Sequence, residues 1–431
     1  VLERTLGIPL FQEQLMQMAT TVGNCTAADA DLLRRAMGSK RRVERIDSLC
    51  TKLFEGMAAN GIDDDTAQGI YARIESFANF GFAESHALSF AGLVYTSAWI
   101  KLHYPAVFLA ALLRSQPMGF YSSATLVADA RRHGVVTRRP DVARSSVGAD
   151  LELLDACCEE LGSEELETGI DECLHDHDES EIGAFDPNRD DGDHRRDTHF
   201  AVRLGLSDVS GISIETATRI VEERERESFV SLDDLARRVD LSGEEVEALA
   251  LAGAFDDLVG SRRGALWQIG QINGVAPGQL DVQVVTQPPL LPEPTQMELL
   301  GDDLRATSIS TTDHPVRQVR DALNRRGVVQ VDRLDGVEAR RRIEVAGVVT
   351  HRQRPGTAGG VTFLNLEDET GLLNVIVTPG VWRHYRRVAR TSRALVVRGI
   401  LERGDEGVMS LQADRLEALD LSVPTKSRDF R

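Results

Sequence analysis

Five cysteines in 431 residues are too few for a disulfide framework, which points to a reduced, intracellular and cytoplasmic chain. No N-terminal secretory signal is visible. The longest apolar run, Ala87–Ile100, is too short to span a bilayer and is followed by Lys101 and His103, so no membrane partner is expected. An initiating methionine is missing too. The chain begins at Val1, inside a helical pattern, and is expected to be part of a longer protein. Positive charge is scarce: 49 Lys+Arg stand against 68 Asp+Glu, a net charge of −19. Spread evenly, that deficit would argue against a nucleic-acid binder, because phosphate contacts need Lys and Arg.

The deficit is not spread evenly. Residues 150–197 hold 19 Asp+Glu and 3 Arg, a net of −16, which leaves −3 for the other 383 residues. The bulk of the chain is near neutral, and its acidity does not count against DNA. Hydrophobic residues make up 42%, enough to bury cores. At about 150 residues per domain, the length suggests roughly three domains.

The pattern is α+β and multidomain. Residues 1–140 are helical. Phe11, Leu15, Met18 and Val22 recur on one helical face, and Gln12, Gln14 and Gln17 fall off it. Thr26 and Asp29 have the spacing of a capping box, and Gly38 suits the end of the helix they open. Further helices are expected over roughly 64–79, 86–103 and 105–114. Residues 141–199 are acidic and expected to be a disordered insert. Residues 200–275 return to short helices, with Ser213, Ser231 and Ser242 as N-caps. Residues 276–340 read as a Pro-rich linker with connecting helices. Residues 341–420 change to strand periodicity: five short strands, with a helical stretch at 379–390 before the fourth, fit an OB-type barrel. Residues 421–431 are a tail.

Six features are candidate sites. Arg34, Arg35, Lys40, Arg41, Arg42 and Arg45 form a basic cluster able to clamp phosphates, or a plain solvated face. Gly81 to His86 reads as a turn with Ser85 at a helix N-cap, where free N–H groups attract anions. Gly205 to Ile212 has the hydrophobic-x-Gly-hydrophobic turn of a helix-hairpin-helix, in which the backbone of Val209, Ser210, Gly211 and Ile212 would hold a DNA phosphate. On the barrel, Arg352 and Arg354 are expected in the first inter-strand loop. Phe363 lies on the second strand and Arg383 beside Trp382 and Tyr385, a mixture of cations and aromatics suited to a single strand, although Trp382 and Tyr385 fit the core equally well. Cys157, Cys158, Cys173, His175 and His177 carry metal-ligand chemistry but no CxxC pair, so no metal site is assigned. Gln296 to Leu300 loosely resembles the short peptides that bind sliding clamps, and fits a helix equally well.

Three motifs then point to a family. Leu6-Gly7-Ile8-Pro9-Leu10-Phe11-Gln12-Glu13-Gln14-Leu15-Met16-Gln17, Leu32-Leu33-Arg34-Arg35-Ala36-Met37-Gly38 and Phe80-Gly81-Phe82-Ala83-Glu84-Ser85-His86-Ala87 resemble, in order and spacing, the fingers of bacterial C-family DNA polymerases, the DNA polymerase III alpha subunits. Gln116-Pro117-Met118-Gly119-Phe120-Tyr121-Ser122 looks like the error-prone branch, as does Glu84 where the replicative branch tends to have Lys. Gly205–Ile212, Leu251 to Phe255 and the barrel resemble that family's tandem helix-hairpin-helix and OB modules.

The resemblance implies a polymerase acting in damage tolerance and translesion replication. Its palm, with the aspartates that bind Mg2+, would lie before Val1, so no catalytic residue is expected in this chain and none in isolation should extend a primer. The substrates implied are deoxynucleoside triphosphates, met by Arg34, Arg35, Lys40, Ser85, His86, Gln12 and Gln14. The partners implied are primer-template DNA and a sliding clamp or other damage-tolerance factors. Two other classes remain open: a non-catalytic DNA-binding accessory, and an interaction scaffold that uses the acidic insert.

Overall fold

The computed structural model describes residues 1–37, 42–77, 82–119, 121–154, 191–272, 292–404, 407–421 and 428–430. It divides into two compact units, Val1–Trp99 and Ile100–Arg431. The division falls inside a helix, well before the expected domain end at 140.

In the first unit, α1 (Gln12–Thr21) and α2 (Ala27–Met37) pack with α3 (Arg42–Ala59) and α4 (Asp64–Phe77). The expected cap of α2 is present: the Thr26 amide donates to Asp29 Oδ2 at 2.9 Å, and the Asp29 amide donates to Thr26 Oγ1 at 3.3 Å. Leu15, Leu33, Leu53, Met57 and Ile74 are fully buried between the helices. A Cβ on Gly56 would stand 1.8 Å from the Gly23 carbonyl oxygen, so only glycine lets α3 pass that turn. The sequence reading has no helix at Arg42–Ala59, because the basic cluster at its start hides the apolar face that follows. The last helix of this unit, α5 (Glu84–His103), exposes Leu88, Phe90 and Tyr95.

In the second unit, α6 (Pro105–Arg114) and α7 (Ser123–Arg132, capped by Ser122) pack on a small sheet of β1 (Thr137–Arg138), β2 (Asp150–Leu153) and β3 (Phe200–Arg203) in the order β1-β3-β2. Part of the expected insert is therefore folded. β2 pairs antiparallel with β3, and the Val142 amide bonds to the Ala254 carbonyl at 2.9 Å. Acids there have partners: Glu152 meets Arg138, Arg144 and Arg203, and Asp197 Oδ2 caps α6 through the Ala106 amide at 2.6 Å. A composition window counts these carboxylates as free charge, whereas the fold spends them on arginines and a helix end. The Cys157–His177 cluster lies outside the described residues.

Next come α8 (Ile214–Arg226), α9 (Leu232–Val239), α10 (Gly243–Leu251), α11 (Asp256–Val259) and α12 (Arg262–Ile272). Ser213, Ser231 and Ser242 cap α8, α9 and α10 as the sequence predicts. Their apolar faces share one core with Phe255, Leu235 and Ile220. α13 (Gln296–Ala306) joins it through a buried Arg262–Asp303 ion pair of 2.8 Å. Gln296 to Leu300 are the first turns of α13, and Leu300 is 1% exposed. A side chain buried that fully is not available to a clamp, so the peptide reading is withdrawn.

A short helix, α14 (Arg320–Arg326), leads to the barrel: β4 (Arg342–Gln353), β5 (Thr362–Glu367), β6 (Leu372–Val377), then α15 (Pro379–His384) and α16 (Arg386–Thr391), then β7 (Ala394–Arg403) and β8 (Met409–Ala418). The order β5-β6-β8-β7-β4 closes through β4–β5, with β6 and β8 parallel. This is the five-stranded OB arrangement, with its helix before the fourth strand as expected. β9 (Arg428–Phe430) adds to β4 in parallel. Among the described residues, no helix is long and apolar enough to cross a membrane.

Candidate nucleic-acid interface

In the first unit the starts of α1 and α5 meet. The Gln12 amide donates to the Phe82 carbonyl at 2.9 Å, and Phe11 and Phe82 form a parallel bridge. Glu13 Oε2 accepts from the Glu84 amide at 2.9 Å, and Arg4 pairs with Glu84 at 2.9 Å. The chain's own carboxylate thus stands at the N-terminus of α5, where an anion was expected. Ser85 is not the cap but the second residue of α5; it is exposed. His86 is exposed and flanked by Phe82 and Phe90, at ring distances of 5.0 and 4.5 Å.

Gln14 departs from its expected role. It is 2% exposed, its Oε1 accepts from the Leu10 and Phe11 amides at 2.8 and 3.0 Å, and its Nε2 donates to Thr5 Oγ1 at 2.9 Å. Every polar atom of its amide serves the turn into α1, so it is a fold residue and not a nucleotide ligand. Arg34 and Arg35 extend from the last turn of α2 and both pair with Asp31 at 2.8 Å. The hydrogen bond from Arg34 holds the Asp31 carboxyl below its ordinary range. Lys40 lies outside the described residues. Among the described residues, Gln12 and Glu13 are joined to the segment that opens α5, Gln14 to the turn before α1, and Arg34 and Arg35 to Asp31.

The hairpin turn follows β3. Val209 and Ile212 are buried in the helical core, while Ser210 and Gly211 are exposed at the tip. Gly211 has φ +94°, a conformation side chains resist, which explains the glycine of the motif. The Ser210 amide donates to the Ala306 carbonyl at 2.7 Å, so it is not a phosphate donor. Glu245 accepts from Thr216 Oγ1 at 2.8 Å and from the Ser242 amide at 2.9 Å, tying α8 to the cap of α10.

On the barrel, Arg352 also departs from expectation. It lies within β4 rather than in a loop, is 7% exposed, and donates to the carbonyls of Ala389, at 2.9 Å, and Ser392. It pins the helix pair to the barrel and is not available to DNA. Arg354, just beyond β4, lies 5.7 Å over the ring of Trp382. Phe363 is half-buried on β5; Arg383 is exposed on α15.

Strand register reveals a surface the sequence reading missed. Gln353, Phe363, Ile376 and Gln412 are successive partners across β4, β5, β6 and β8; His351, Asn365, Asn374 and Ser410 form the next row. All eight sit at half-buried or exposed positions that alternate with core residues. The rows hold four amide side chains, one aromatic ring and no acid. The alternation within Thr362–Glu367 and Leu372–Val377 is the signal that would have found them.

Comparison with known proteins adds to this geometry. The model for the bacterial DNA polymerase III alpha subunit finger domain matches residues 1–61. A helix-hairpin-helix motif matches 134–265, and an OB-fold nucleic acid binding domain matches 343–419. The error-prone DNA polymerase of Cutibacterium acnes is 98% identical over 431 residues, covering 100% of this chain and 38% of that protein. Those of Mycolicibacterium paratuberculosis and Corynebacterium glutamicum are 46% and 43% identical, each over 100% of this chain and 36% of their own length. Over its whole length the chain is similar to error-prone DNA polymerases. It spans just over a third of the length of the relatives it matches. The helix-hairpin-helix match starts at 134, so the sheet of β1, β2 and β3 lies within the matched region.

Proposed function

We propose that residues 1–431 are the DNA-holding part of an error-prone polymerase that works in translesion replication in the cytoplasm. What carries this reading is the barrel's outward face: an aromatic and four amides in register, without an acid, in a chain that also matches finger and hairpin modules. Phe363 offers a ring on which any base can stack, and Arg354 a cation at the edge of the face. Gly211 would meet a duplex phosphate without reading sequence, as a polymerase requires. Arg34, Arg35 and Lys40, with Ser85, His86 and Gln12, would meet the incoming deoxynucleoside triphosphate; Arg is suited to bidentate phosphate contact.

Polymerisation in the whole protein would use Mg2+, which lowers the barrier to in-line attack by neutralising developing charge. Among the described residues no group of three His, Cys, Asp or Glu side chains is placed to hold a metal ion, so no step through magnesium is assigned to this chain. Residues 1–431 are expected to bind primer-template DNA but not to extend it. Binding should weaken steeply with salt, since phosphate contacts release counterions. Primer extension by the purified chain, or an affinity indifferent to salt, would refute this reading.

A further inference from the structure

The barrel has a second surface that the family match does not assign. From Thr370 to Leu401 the sequence contains no Asp or Glu, yet it holds six arginines. One of them, Arg398, pairs with Asp414. The other five are Arg383, Arg386, Arg387, Arg390 and Arg393, all exposed and with no carboxylate within 4 Å among the described residues. Four other barrel arginines have partners: Arg342 pairs with Asp414, Arg415 with Glu417, and Arg352 and Arg403 donate to backbone carbonyls, while Arg354 lies over the Trp382 ring at the other face.

The helix pair α15–α16 sorts its residues by face. Val381, Trp382, Tyr385, Val388 and Ala389 pack into or against the barrel core. The Ala389 amide donates to the Tyr385 carbonyl at 2.8 Å, so helical bonding carries across the junction. Arg383, Arg386, Arg387 and Arg390 then stand three, four and seven residues apart on the outward side. Like charges at this spacing repel one another, and a polyanion would relieve that repulsion. Arg393 continues the line and borders a cleft of about 770 Å3, whose walls carry the cations Arg131 and Arg305, the carboxyls Asp313 and Glu367, and the hydroxyls of Ser122, Ser308 and Thr350. That is the volume of a ligand pocket, which takes a nucleotide unit of one strand but not a duplex.

We infer that this arginine ridge is a single-strand track separate from the β4–β5–β6–β8 face, gripping DNA phosphates and leading the strand to the cleft at Arg393. The aromatic rings of its helices are turned into the core, so the ridge grips backbone without stacking bases. The inference rests on the DNA-binding reading above.

The test uses the full chain, a 30-nucleotide oligothymidylate and affinities across a salt series. One variant carries Arg→Gln at 383, 386, 387, 390 and 393; a second carries Arg→Lys at the same positions. A single strand contributes about 0.7 to the slope of log affinity against log salt per phosphate contact, so the Gln variant should lose about 3.5 and the Lys variant little. Equal amide hydrogen exchange over the barrel strands β4 to β8 in the three proteins excludes unfolding as the cause. If the Gln variant keeps its slope, or the Lys variant loses it equally, the ridge is refuted while the DNA-binding reading stands. If the parent chain binds no oligothymidylate, the barrel's single-strand role falls, and the ridge with it.

Discussion

Glu367 closes β5, where it is 5% exposed and 3.2 Å from Arg132 on α7. Burial pushes its carboxyl from an ordinary 4.5 up to about 7, although Arg132 pulls the other way. The folded chain therefore holds this proton more tightly than the unfolded chain. Its contribution to stability is full below pH 4.5 and is lost as pH rises through 7. The difference between 4.5 and about 7, at about 1.4 kcal/mol per unit, amounts to about 3 kcal/mol. Glu367→Gln removes the titration. It should be near neutral at pH 5. At pH 8 it should stabilise the strand by up to that amount, less the lost contact with Arg132. A chain of several units does not melt in one transition, so the measurement is amide hydrogen exchange over 362–367, corrected for the intrinsic pH dependence of exchange. Parallel pH profiles in parent and variant would refute the reasoning.

Three further outcomes are expected. Arg352→Met leaves the Ala389 and Ser392 carbonyls without their charged donor and should cost about 3 kcal/mol in barrel stability, read from exchange in β4 and the 386–392 segment; a cost under about 1 kcal/mol would count against the pinning role. Gln14→Ala frees the Leu10 and Phe11 amides and should cost about 1–2 kcal/mol, with triphosphate affinity unchanged; selective loss of affinity would restore Gln14 as a ligand. Phe363→Ala should weaken oligothymidylate binding by about 1–3 kcal/mol while leaving its salt slope alone, since a ring contributes stacking and not charge; a changed slope would contradict this.

Local chemistry was legible along most of the chain. Thr26 with Asp29, and Ser213, Ser231 and Ser242, open their helices because capping needs only a hydroxyl or carboxylate within the first turn. The barrel strands and the helix before the fourth follow from a change of period, and Gly211 from a turn that requires positive φ. Misreadings arose where a residue's partner lies far along the chain. Glu152 looked like free acid until β3 brought Arg203 to it, and Arg352 looked like a loop cation until closure placed it under Ala389 and Ser392.

The amino-acid sequence by itself indicated the order of the helical, hairpin and barrel segments and the caps of α2, α8, α9 and α10, since each rests on patterns a few residues long. It also located the −16 of charge, though not which of those carboxylates are neutralised. Only the tertiary structure decided which cations remain for a ligand. Arg352 and Arg383 are the same residue type thirty-one positions apart; one is buried on carbonyls and the other stands in water on an acid-free ridge. The difference is burial and strand register, which pair residues that no short pattern connects.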